Sequence, residues 1–228
     1  LATYASFGFY QLIEPVFALA FLLVVVAVAA VLAIRHESKI IALMGITGAF
    51  LAPVLLAGDM GDQRIALLAY ILIVDLGILV VSSFYSWQWF IRIGMFATYL
   101  LFGWWIDTIP ASETIVAELG VAAAFLIFVG ATTLFHVIRR QVPTVWDLGL
   151  MVVNAVSFWL ATIALMWNQY EGWFGLISML IGVFYAGVGL AVLKRKNAPR
   201  QVARYSMLIA LVFGTLSAPL QLDGFWIT

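Results

Sequence analysis

Asp75 stands at the centre of "RIALLAYILIVDLGILVVSSF", residues 64–84, an apolar run whose only other charge is Arg64 at its start. Mid-bilayer, an aspartate costs about 2.5–3.5 kcal/mol on insertion scales, so it must face protein and meet a polar neighbour. Three chemistries suit such a group: a hydrogen bond that glues two helices, a proton relay, or a contact to a polar substrate. Candidate partners are Arg92, a turn inside the next apolar run, and Asn154 or Thr162 in a later one. Glu118 lies about one turn inside another run; with Asp107 and Glu113 it makes either an acidic mouth or a set of solvated helix ends. Asp147 falls near a helix start, where the macrodipole favours an acid, and reads as a cap.

Other chemistry-bearing patterns fail on inspection. "HESKI", residues 36–40, opens like a zinc-protease helix but has Ile40 where the second histidine belongs. "GVGLAV", 187–192, lacks the third glycine of a dinucleotide fingerprint and lies inside an apolar run. His36 and His136 sit at run ends, which suits solvated or lipid-facing roles better than metal ligation. The chain has no cysteine, so thiol nucleophiles, thiolate metal sites and disulfides are excluded. No catalytic residue, metal or cofactor is expected.

The elements that must position these residues are membrane helices. The 228 residues are 65% hydrophobic and 10% charged, with a mean hydropathy of +1.13. A soluble domain of this size cannot hide so much apolar surface, so the expected partner is the lipid bilayer. Eleven basic and eleven acidic residues cancel, which removes the case for a nucleic-acid partner. Apolar runs of about 18–24 residues, enough to cross a bilayer as helix, occupy 15–34, 40–57, 64–84, 87–106, 114–137, 145–167, 173–193 and 204–222. Partial runs occupy 1–12 and begin again at 225. The expected fold is therefore all-α: a polytopic transmembrane bundle over 1–228, about eight complete spans plus a partial span at each end. Leu1 in place of Met and the apolar "GFWIT" ending read as a piece of a longer membrane protein.

Basic residues set the orientation. Arg35, Lys39, Arg92, Arg139, Arg140, Lys194, Arg195, Lys196, Arg200 and Arg204 fall at one set of alternate ends, and only Arg64 at the other. Loops 35–39, 85–86, 138–144 and 194–203 are thereby expected in the cytoplasm of a bacterial cell membrane. Glu14, Asp59, Asp62, Asp107, Glu113, Glu171 and Asp223 fall outside. Eight of the nine tryptophans sit at run ends, as interfacial anchors do, and only Trp159 is mid-span.

Two runs break alike. "GAFLAPVLLAGD", 48–59, and "GTLSAPLQLDG", 214–224, share Gly-x-x-x-Ala-Pro-x-x-Leu: Gly48, Ala52 and Pro53 in one, Gly214, Ala218 and Pro219 in the other. Each proline removes a helix donor and frees a carbonyl four residues back, that of Ala49 or Thr215. Water, a hydroxyl, or a bound ion or substrate can take a freed carbonyl. The small residues, Gly45 included, suit a close helix contact. Both runs leave a basic loop in the same direction, as in a parallel repeat pairing 15–57 with 173–222, an arrangement common in transporters.

"GITGAFLAPVLLAGD", "AYILIVDLGILVVSSFYSWQW", "GWW" at 103–105 and "APLQLDGFWIT" resemble, in order, one bacterial family of predicted multi-pass membrane proteins, domain of unknown function 2339. The resemblance covers essentially the whole chain. It implies a longer parent protein with more spans, and no activity. A transporter or lipid/solute flippase-like component fits the spans, the repeat and the buried carboxylate. A membrane scaffold or assembly factor fits the lack of motifs. A membrane-embedded glycosyltransferase-type enzyme fits least, because loops 58–63, 107–113 and 168–172 are short.

Overall fold

A computed structural model describes residues 15–56, 64–85, 87–134, 143–195 and 199–222. The partial runs at 1–12 and from 225, the basic residues Arg139, Arg140 and Lys196, and His136 lie outside the described residues. Within them there are eight α-helices and no strand. They are α1 (Pro15–Arg35), α2 (Lys39–Leu56), α3 (Arg64–Tyr85), α4 (Gln88–Trp105), α5 (Thr114–Val129), α6 (Val145–Tyr170), α7 (Phe174–Lys194) and α8 (Arg200–Leu222). A π-helical turn, Gly130–Leu134, prolongs α5. Among the described residues seven of these segments are long and apolar enough to cross a membrane, and α2 falls just short over Lys39–Leu55. The protein is an all-α polytopic bundle, as its apolar runs require. In hydrocarbon every backbone N–H must find its acceptor within its own segment, and only the helix provides that along a single run.

The outward faces belong to lipid. Val24 is 60% exposed, Phe96 71%, Leu119 66% and Leu211 67%; in water such surface would drive aggregation, but against acyl chains it costs nothing. One boundary differs from the sequence expectation. α8 begins at Arg200, four residues before the apolar run, with Val202 N bonded to Pro199 O at 3.1 Å and both Val202 and Ala203 buried. Arg200 and Gln201 are polar and exposed, so hydropathy alone cannot see that turn.

The chain divides into two compact units, one running to Ile127 and the other from Phe128. In the first unit α1 packs on α2 and α3, and α3 packs on α4. The buried stripe of α3 recurs at helical spacing, Leu67, Ile71, Val74, Ile78 and Val81. Gly94 of α4 admits the Ile78 side chain, and Gly120 of α5 admits Leu68. α1 ends in a tight turn in which Ser38 N bonds Ala33 O at 3.1 Å and Glu37 N bonds Ile34 O at 3.3 Å. Glu37 holds the left-handed conformation there, with φ 49°, the place a glycine usually takes in such a cap.

In the second unit α7 packs along α8, and α6 packs on both. The α7–α8 seam is built on Gly175, Gly182 and Gly189, spaced seven apart. A methyl group on Gly182 would meet Ala210 O at 3.1 Å and Gly214 N at 3.2 Å, and one on Gly189 would meet Ala203 O at 3.3 Å. A seven-residue repeat keeps one face of a helix on its neighbour, and glycine lets the two backbones approach. α6 starts with a reciprocal cap: Thr144 N donates to Asp147 Oδ2 at 2.9 Å, and Thr144 Oγ1 donates to the same oxygen at 2.7 Å.

Candidate functional site

Asp75 is fully buried in the first unit, on the stripe of α3 that faces α4. The hydroxyl of Thr98, also fully buried, donates to Asp75 Oδ1 at 2.7 Å. Asp75 Oδ2 is buried without a hydrogen-bond partner. The pair is made by depth: α3 and α4 are successive helices, and each residue lies near the middle of its own span. Phe90, Ile91, Gly94, Met95 and Phe102 complete the inward face of α4 around Thr98.

Sequence reasoning looked to Arg92 and missed Thr98. Arg92 lies six residues earlier on α4, about 9 Å along the axis, and is half-buried there. Equal depth in successive spans is the signal in the sequence that points to Thr98; charge complementarity points to Arg92 instead. Asn154 and Thr162 belong to the second unit and are buried within α6. Asn154 shares a side-chain hydrogen bond with Tyr185 of α7, whose hydroxyl also donates to Met151 O at 3.4 Å. Trp159, the mid-span tryptophan, donates from Nε1 to Ser178 Oγ at 2.8 Å, and its ring meets Phe213 edge-on. Glu118 is half-buried on α5, and Asp107 is exposed in the short 3₁₀ turn Ile106–Thr108.

The two proline motifs sit in different surroundings. Pro53 and Ala52 are buried, and the Ala49 carbonyl that Pro53 deprives of its donor accepts a 3.0 Å bond from the Tyr70 hydroxyl of α3. A neighbouring hydroxyl, one of the expected takers of that carbonyl, is thus in place. Pro219 and Ala218 are exposed at the far end of α8. A methyl group added to Gly48 or Gly214 would meet nothing, whereas one on Gly45 would touch Ala29 Cβ at 3.2 Å. Gly214 nonetheless contributes to the α7 seam through its backbone, against Gly182.

A cavity of about 160 Å³ lies among α1, α2 and α3. Ala27, Ala30, Gly45, Ala49, Gly77 and Phe90 are among its lining residues, all of which are apolar. Val74 lines it; Asp75, the next residue, does not. No cluster of three metal-ligating side chains occurs among the described residues.

The model of one protein family, described as "predicted membrane protein" (DUF2339), matches residues 1–228. No curated protein and no solved structure matches the chain.

Proposed function

Because this chain belongs to the DUF2339 family of predicted membrane proteins, whose description names no activity, we propose from its own geometry that it is part of a transporter or flippase-like system in which Asp75 binds and releases a proton or small cation. The observation that carries this role is the carboxyl group itself, buried at mid-span with Oδ1 bonded to Thr98 and Oδ2 bonded to nothing. An inter-helix hydrogen bond in a membrane returns about 0.6–2 kcal/mol, whereas the aspartate costs about 2.5–3.5 kcal/mol to place there. As glue alone, the pair loses free energy; serine or threonine at position 75 would make the same contact more cheaply. Thr98 is then a positioning residue, and Oδ2 is the atom at which the ion would exchange.

The role extends to the rest of the chain. Loops 35–39, 85–86, 138–144 and 194–203 would face the cytoplasm of a bacterial cell, and 1–228 would act as one bundle with 15–57 and 173–222 as a parallel repeat. Supporting the repeat, each proline helix packs on the helix just before it, α2 on α1 and α8 on α7. Arg92 and Glu118 in the first unit, and Asn154 in the second, are the further polar side chains proposed to contact a solute.

A scaffold role is favoured by one observation: Asp75 is fully buried and lies outside the cavity wall. Infrared difference spectroscopy on the full-length protein in membranes separates the two. Transport predicts a carboxylic C=O band that changes with pH or with added sodium and vanishes in Asp75→Asn. A band that Asp75→Asn removes but pH and sodium leave unchanged would mean a sealed carboxyl and a scaffold.

A further inference from the structure

The cavity among α1, α2 and α3 has no part in the exchange chemistry proposed for Asp75. It is hollowed by small residues at helical spacing: Ala27 and Ala30 on α1, Gly45 and Ala49 on α2, Gly77 on α3. Its length follows from the lining, since the eight helical steps of α3 from Ile73 to Val81 span about 12 Å. An apolar cavity near 150 Å³ stays dry and takes an apolar guest of about benzene size or larger. The slot is open on one side, where Ala27 and Gly77 are exposed and Ile73 is 50% exposed. In a membrane protein, that opening faces acyl chains or another helix.

The charge at one end of the slot decides between these guests. Ala30 is five residues before Arg35, and Ala42 is three residues after Lys39, so both cations stand within about 8 Å of helix rise from the lining. Arg35 and Lys39, four residues apart, are exposed and flank the short α1–α2 turn that the left-handed Glu37 closes. His36 and Glu37 share that turn and are exposed, leaving a net positive rim above an apolar slot. A transmembrane helix would bring apolar side chains to both; a phospholipid brings one tail and one phosphate.

We propose that this slot holds one acyl chain of an anionic phospholipid, with the headgroup phosphate against Arg35 and Lys39. Arginine binds such a phosphate through paired N–H donors, and each cation near a membrane surface adds a comparable increment of attraction for anionic lipid. Gly77 is the position that tests the slot, because it lines the slot and a Cβ added there meets no atom within 4 Å, so a larger side chain can start from that point without a backbone clash.

The test uses the full-length protein in phosphatidylcholine vesicles doped with a phospholipid whose acyl chain carries a photoactivatable diazirine. The probe is either phosphatidylglycerol or phosphatidylcholine, and labelled peptides are read by mass spectrometry. Label should concentrate on α1–α3 slot residues and favour phosphatidylglycerol about fivefold. Gly77→Leu should lower slot labelling at least as much, and Gly103→Leu, an equally open glycine outside the slot, should leave it unchanged. Arg35→Gln with Lys39→Gln should abolish the headgroup preference while tail labelling remains. Label spread evenly over lipid-facing positions such as Phe17 and Leu126, equal labelling by the two probes, or indifference to Gly77→Leu in a protein that melts like wild type would each overturn the proposal. Asp75→Asn should not change the labelling, so failure here and failure of the ion-exchange role are separate results.

Discussion

The hydroxyl of Tyr70 donates to the carbonyl of Ala49 at 3.0 Å, across the α2–α3 contact. That carbonyl has lost its helix donor to Pro53, so a side chain twenty-one residues away completes the backbone of another helix. Tyr70→Phe keeps the ring and removes the donor, and leaving a buried carbonyl unbonded costs about 1–3 kcal/mol. Pro53→Ala restores the intrahelical donor. The loss caused by Tyr70→Phe, read from unfolding in detergent, should therefore shrink in the Pro53→Ala background. An equal loss in both backgrounds would show that Tyr70 does not serve the proline.

Asp75 and Thr98 can be separated by conservative substitution. Asp75→Asn preserves an acceptor for the Thr98 hydroxyl and should change stability by less than about 1 kcal/mol. Thr98→Val removes the donor at nearly constant shape and should cost about 1 kcal/mol. If Asp75 exchanges an ion, Asp75→Asn should abolish dye-monitored proton or sodium flux in proteoliposomes, and Thr98→Val should weaken it. Matching flux in wild type and Asp75→Asn would reduce the pair to helix contact.

The two glycines that meet at the α7–α8 seam should respond oppositely. Gly182→Leu would drive a side chain into the Ala210 carbonyl and the Gly214 backbone, and overpacking of this kind costs about 1–3 kcal/mol. Gly214→Ala meets open space and removes a flexible helix residue, which should gain up to about 1 kcal/mol. Thermal unfolding of the two variants reads the difference directly.

Sidedness can be read in this cysteine-free chain. Single cysteines at Ser38, Gln141 and Asn197 should resist an impermeant thiol reagent in intact cells, while one at Gly61 should react. Reaction at any of the first three as readily as at Gly61 would overturn the proposed orientation.

Hydropathy sufficed for the helices. Eight apolar runs became eight helices because lipid offers the backbone no other donor or acceptor, and their limits differ by a few residues where polar side chains open a helix, as at Arg200. The burial of Asp75 was legible for the same reason: a carboxyl group cannot face hydrocarbon. Its partner was not legible, because apolar periodicity marks which face of a helix is inward but not which neighbour it meets. Only the packing of α3 on α4 selected Thr98 over Arg92. Likewise the glycines quoted in the shared proline motif were visible, but the close contact between α7 and α8 runs on Gly175, Gly182 and Gly189. Their seven-residue spacing was present in the sequence, and it acquired a role only when α8 supplied the facing backbone. A single helix carries its own hydrogen bonds and its own apolar stripe; the contacts that complete a carboxyl, a freed carbonyl or a glycine seam come from a second helix.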